Sequence, residues 1–469
     1  MVEDLDFLDI AQLFPVRRVA SGMLEPLAKP AWSPAAAAHL LNRAGFGGTP
    51  ADIAALHARG LEGAVDSLLH ADDDSDLFPP PEASIPEYTD KYLKKFPGLS
   101  EPERRKIQSE LRREAKQLMN GLRSWWLNRM RWSPAVAREK AALFWHGHWA
   151  TSIEKVKDPF AMWDQNETLR AHAFGRFEDM AKAISRDPAM MRYLDLIQSK
   201  SGRPNENFAR ELMELFTLGE GHYTEQDIQQ AARAFTGYRI NRTNRRFLMT
   251  GSQHDDGVKS LFGIEGNFSG DDVIGLIAAD PQCARFLARK IWTFYAAENP
   301  SPELVEALAE SYRSSGLNTG ALLGAIFRSR EFYGPDVVRH QIKSPVQWLV
   351  QLCRQMEIPL PGQSDGILRQ LGQVPFAPPN VKGWDGGRAW ISSATLLLRY
   401  NTSGTVLSGA NALAPVETDS YEALAWRLFQ APLPPGLNAK FSAYLKDHGI
   451  AARRDLIHLM MSTPDYQLT

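Results

Sequence analysis

Ser133-Pro134-Ala135-Val136-Ala137-Arg138-Glu139-Lys140-Ala141-Ala142-Leu143-Phe144-Trp145-His146-Gly147-His148 is the stretch that decides the fold. A hydroxyl residue followed by proline marks a helix start. The hydroxyl oxygen accepts from an orphan backbone N–H, and proline has no N–H to leave unpaired at the first helical position. The spacing predicts a helix from Pro134 to Gly147. The same pair recurs at Ser33-Pro34, Thr49-Pro50, Ser301-Pro302 and Ser344-Pro345, each followed by apolar residues at helical spacing. The fold is therefore expected to be mainly α: one large multi-helix domain with a small β-hairpin and long Gly/Pro-rich loops.

Outward from these starts, residues 1–32 read as an irregular leader. Residues 33–410 form the helical domain, with a loop insertion near 71–100 marked by Asp72-Asp73-Asp74 and Pro79-Pro80-Pro81. Residues 411–469 are expected to be helices packed on that domain. The charge-rich stretch 101–132 reads as a long solvent-facing helix. Strand candidates at 238–241 and 245–250 predict a hairpin, followed by Gly-rich loops to 270. Helices are expected again at 271–294, 302–314, 318–328 and 343–356. Residues 374–390 hold too many prolines and glycines for a regular element. Nothing repeats at a 20–50-residue period, which argues against a solenoid.

The chain has 469 residues, with 44% hydrophobic and 23% charged, so wholesale disorder is excluded. Its 53 basic and 55 acidic residues leave a net charge of -2, which gives no global attraction to nucleic acid. The run Arg239, Arg242, Arg245 and Arg246 reads as a solvated hairpin rather than a phosphate site. The two cysteines, Cys283 and Cys353, sit in apolar stretches and are expected to be buried free thiols. No segment has the length and apolarity of a membrane span, and the acidic start is unlike a secretory signal. As written the chain reads as cytoplasmic; a protein trimmed of its leader, and hence exported, would look the same.

Four segments hold candidate chemistry. At His146-Gly147-His148 the helix is expected to end, so that both imidazoles converge as metal ligands. The alternative makes His146 a dipole cap and His148 a core residue. Along 205–216, Asn207, Glu211 and Glu214 recur at i, i+4 and i+7, on one helical face, with Arg210 one turn from Glu214. Such carboxylates suit metal ligation or acid–base work, or else a buried structural network. In the loop 253–259, His254 and Asp255 could bind substrate or form a hydrogen-bonded turn. In the loop 378–387, Lys382, Trp384 and Asp385 are substrate-binding candidates, with Trp384 and Trp390 docking the loop over the polar helix as one wall of a pocket.

Phosphate-loop, dinucleotide, serine-elbow, His-Glu-x-x-His and paired Cys-x-x-Cys signatures are all missing, which lowers nucleotide, serine-hydrolase and zinc-finger readings. The segments at 39–47, 138–152, 205–219, 223–237, 254–259, 343–345 and 378–387, in that order, resemble the family called domain of unknown function 1800. The resemblance spans about 33–410. It implies no reaction. It does imply a possible protein partner encoded nearby, and export for many members, from which this sequence departs by showing no export signal.

The leading functional expectation is a metal-dependent enzyme, hydrolytic or redox. His146 and His148 would bind the metal, Glu211 and Glu214 would act as ligand or base, and Arg210 and Asn207 would complete the site. Mixed imidazole and carboxylate donors suit Zn, Mn or Fe. A binding or assembly protein with a structural polar helix, and a metal-free acid–base enzyme, are the alternatives. No nucleic acid and no membrane span is expected among its partners.

Overall fold

Most of the predicted helix starts are built as the hydroxyl–proline chemistry requires. Ser33 accepts from the Ala36 N–H, Ser301 from Leu304 and Ser344 from Gln347. Thr49 and Asp52 close a reciprocal capping box. The structure, a computed structural model, describes residues 22–72, 74–85, 98–241, 244–409, 413–416, 419–449 and 452–469. Most of the expected leader, part of the 71–100 insertion and the hairpin tip at Arg242 lie outside the described residues.

The helices that build or brace the site are α1 (Pro34–Ala44), α2 (Glu101–Trp132), α3 (Val136–His148), α4 (Pro159–Ala171) and α5 (Asn207–Glu211). They continue with α6 (Glu225–Ala234), α7 (Gly270–Ala279), α8 (Pro281–Tyr295), α9 (Pro345–Gln355), α10 (Ser393–Leu407) and α11 (Arg453–Ser462). The single helix expected at 271–294 is two helices. Pro281 cannot continue the hydrogen-bond ladder of α7, and the Asp280 carboxylate caps Gln282 to start α8.

The expected hairpin forms from β1 (Tyr238–Ile240) and β2 (Phe247–Met249), antiparallel with Arg239 opposite Leu248. A second hairpin, β3 (Lys259–Leu261) with β4 (Ile264–Gly266), occupies a stretch expected to be loop. Its strands are three residues each, too short for an alternating pattern to register.

One apolar core runs from Ala37 on α1 to Tyr466 near the end of the chain. Helix α2 departs from its solvent-facing expectation. Its first half is largely exposed, but Leu118, Leu122, Trp126, Leu127 and Met130 are buried, together with Arg123, Arg129 and Arg131. Long basic side chains can bury their stems when their heads find partners. Helices α10 and α11 pack together, and the chain end pairs with the approach to α9: Lys343 N–H donates to the Gln467 carbonyl. Both cysteines are free and buried. Among the described residues no helix is long and apolar enough to cross a membrane.

Candidate functional site

Helix α3 organises the region, and its frame differs from the expected one. The Ser133 hydroxyl donates to the Asp74 carboxylate instead of capping the helix, so α3 begins at Val136. It then runs through His148 rather than stopping at Gly147. Residues two apart on a continuous helix point about 200° apart. The two imidazoles accordingly diverge. His146 faces Trp126, Phe376 and Trp384, and its Nε2 accepts the Phe376 N–H at 2.9 Å. Burial holds its pKa at about 3, so the ring is a neutral structural acceptor.

His148 turns instead toward Trp145, Trp149 and Phe216. It is 2% exposed, yet neither ring nitrogen has a hydrogen bond of normal geometry, although the Phe216 backbone lies beside the ring. Burial, with Lys290 nearby, pushes its pKa well below the usual value. An unpaired buried ring nitrogen costs roughly 1–3 kcal/mol. His148 borders a cavity, where a ligand can supply the missing partner.

That cavity, about 700 Å³, lies along α3 from Lys140 to His148. Eight residues separate the two, about 12 Å of helical rise. Lys290 and Phe294 of α8, Ser344 and Gln347 at the start of α9, and Gln373 form further walls. Lys140 donates to Gln347 Oε1 and lies 5.0 and 5.4 Å from the ring centroids of Phe46 and Phe294. Burial, and then the Arg43 guanidinium, bring its pKa to about 7. Lys290 donates to the Leu215 carbonyl at 3.2 Å, and burial brings it to about 8. Lys343 lies 3.9 Å from the Tyr466 ring centroid; burial, followed by Arg399 and Arg339, pushes it well below an ordinary lysine. Among the described residues no carboxylate forms an ion pair with any of the three. Arg289, Lys382 and Arg388 add positive charge around the cavity, against Glu298 and Asp385.

The loop expected to be a pocket wall borders this cavity. Gly383, at φ +86°, sits so close to the end of α3 that a methyl there would overlap the Gly147 carbonyl. Gly147 in turn faces the Trp384 ring. Gly387 leaves room for the Glu298 carboxylate. Trp390 is buried and Trp384 half-buried, and Lys382, Trp384 and Asp385 all border the cavity with His148.

The polar helix goes elsewhere. After α5 the chain widens into a π-helical turn, Leu212–Thr217, in which Leu218 N–H bonds the Met213 carbonyl. That extra residue per hydrogen bond breaks the i, i+4, i+7 register on which the common face of Asn207, Glu211 and Glu214 rested. Asn207 is exposed. Glu214 accepts from Tyr223 Oη at 2.9 Å. Glu211 is half-buried and raised, first by burial and then by Glu214, while Lys382 opposes the shift. Arg210 does not pair with Glu214: it reaches Glu225 of α6 at 2.8 Å and Glu206 at 3.3 Å, all partly exposed. The expected buried Arg–Glu network is thus a surface ion pair. What meets His148 is the apolar side of the π turn, through Phe216, and not its carboxylates.

The loop 253–259 forms a hydrogen-bonded turn. His254 Nδ1 lies 2.9 Å from the Thr236 carbonyl, and Arg233 grips Asp255 with two hydrogen bonds at 2.9 and 3.0 Å. The hairpin arginines also brace the fold, Arg245 on Asp158 and Arg246 on Asp164. Among the described residues, no group of three His, Cys, Asp or Glu side chains stands close enough to hold a metal ion.

Sequence reading passed over Lys140, Lys290 and Lys343. A signal was present for the first: Lys140, Phe144 and Gly147 share a helical stripe, so a lysine stands in an otherwise buried row. The described family match, protein of unknown function (DUF1800), covers residues 39–468. No curated protein and no solved structure matches the chain.

Proposed function

The chain belongs to the DUF1800 family, and we propose that it binds a small organic anion, a carboxylate or a phosphate ester, in the cavity beside α3. One observation carries the reading. Lys140, Lys290 and Lys343 border one cavity, largely out of water, with no carboxylate to pair them among the described residues. Ammonium groups so placed lose solvation, which costs stability unless a ligand compensates. An anion supplies that compensation, most strongly where Lys140 and Lys343 are buried and water screens the charge least. His148 then offers the ligand a neutral nitrogen, and Trp384 offers an apolar face.

This reading does not draw on the Zn, Mn or Fe site expected from His146 and His148, whose rings diverge. The test is thermal denaturation of the full chain with inorganic phosphate and a panel of small carboxylates, with and without a chelator. A millimolar anion should raise the melting temperature, by mass action on the folded state. The rise should be lost in the double variant Lys140→Met, Lys343→Met and should survive the chelator. Equal stabilisation of the double variant, or none of the wild type, would overturn the proposal. A rise abolished by the chelator would return the metal reading to first place.

A further inference from the structure

Of the three cavity lysines, Lys140 is placed differently from the other two. Lys290 is partly exposed and its ammonium is committed to the Leu215 carbonyl. Lys343 rests on the Tyr466 ring, which does not border the cavity. Lys140 holds its Nζ between Gln347 and Phe294, both of which do. Gln347 is itself oriented, since its amide nitrogen donates to Gln351 Oε1 at 3.1 Å. A donor bond to Gln347 uses one N–H and fixes the direction of the amine. The aromatic rings of Phe46 and Phe294 exclude water from it.

We propose that Lys140 forms an imine with an aldehyde or ketone carried on the bound anion, so that the cavity accepts oxo-acids. This deepens the anion reading and rests on it. The division of labour follows from the geometry: Lys290, with Arg289 and Arg388, which also border the cavity, holds the anionic group by charge, and Lys140 meets the carbonyl carbon. Its nitrogen lone pair forms the C–N bond as the C=O π pair moves onto oxygen. The nitrogen gives up two protons, the oxygen leaves as water, and a C=N bond remains. Nothing is oxidised or reduced.

Imine formation needs a neutral amine, and a lysine desolvated beside another cation is the arrangement that supplies one at neutral pH. Arg43 from α1 is the charge that acts on Lys140, while Lys290 on α8 and Lys343 before α9 border the same cavity. Gln347 of α9 is neutral. Glu139, the next residue, is engaged by Trp126, Arg129 and Arg170. With its pKa near 7, about half of Lys140 is unprotonated at neutral pH, against well under 1% of an exposed lysine near 10.4.

The experiment is reductive trapping. The full wild-type chain is incubated at pH 7 with glyoxylate or pyruvate and sodium cyanoborohydride, then mapped by peptide mass spectrometry. Phosphate-induced thermal stabilisation is measured in parallel. The expected result is labelling at Lys140 at least ~10-fold above the exposed Lys446, suppressed by excess phosphate. Gln347→Leu, which removes the bond that fixes the amine, should reduce the labelling. If adducts follow exposure alone while phosphate still stabilises the protein, the imine is overturned and the anion site stands. If phosphate neither stabilises nor protects, and Lys140 is not enriched, both fall.

Discussion

Glu139 and Lys140 are chain neighbours on α3, both buried and oppositely charged, and they have opposite surroundings. Glu139 is 0% exposed and every bond it can use is filled. Trp126 Nε1 donates to one oxygen at 2.8 Å, Arg129 to the other at 3.0 Å, and Arg170 bridges both at 2.6 and 2.9 Å. Asp74 holds Arg129 in turn, and Asn166 with Glu167 holds Arg170. Burial alone would raise the Glu139 pKa, but Arg170 and Arg129 bring it below the ordinary carboxylate value. On the other side Lys140 has one neutral amide and two rings. A saturated buried charge fastens elements together, here α2, α3 and α4. An unsaturated one beside a cavity keeps hydrogen-bonding capacity that no neighbouring carboxylate uses.

The largest effect should come from breaking the saturated side. Glu139→Gln leaves Arg129 and Arg170 buried without their shared carboxylate. Urea unfolding should show a loss of about 3–5 kcal/mol, the scale for removing one partner of a buried ion pair. A loss under ~1 kcal/mol would mean that the two arginines are not held by Glu139, and the contrast would fail.

A smaller effect, of opposite sense, is expected across the cavity. The Lys140 pKa is depressed in the folded chain, to about 7 against ~10.4 unfolded. Between those values the unfolded chain binds more protons than the folded one, so stability rises with pH; below about 7 the penalty is fully present. Wild type measured against Lys140→Met, without added anion, should gain about 1–3 kcal/mol between pH 7 and 9. A flat difference would show that Lys140 keeps an ordinary pKa.

The smallest effect belongs to Arg210. Its partners are the exposed Glu225 and the half-exposed Glu206, so solvent and salt screen the pairs. Arg210→Ala should leave the urea midpoint unchanged within measurement error. A large loss would restore the buried network that the sequence suggested.

These contrasts locate where sequence reasoning reached and where it stopped. The loop wall was legible because glycines and tryptophans state their needs locally. Gly383 must allow a close approach, and Trp384 and Trp390 must find cover. The lysines were not legible. Lys140 in an apolar row is written the same way whether it snorkels to water or faces a cavity. Lys290 and Lys343 come to border the same cavity from more than a hundred residues away in the chain. The Glu211 and Glu214 face failed for a different reason. Its spacing assumed α periodicity, and a π turn resets that phase without a composition signal.

What the sequence determined by itself is most of the helices, their capped starts at Ser33, Thr49, Ser301 and Ser344, the first hairpin and the irregular loop at 374–390. Those features are fixed within a few residues by hydrogen bonding and allowed dihedrals. Only the tertiary structure decided which charges are paired. Pairing depends on what the third dimension brings within about 3 Å, and Glu139 meets Arg170 while Lys140 meets no carboxylate. It also decided the direction of the two histidines, because one more residue of helix at the end of α3, carrying it through His148, turns a converging pair into a diverging one.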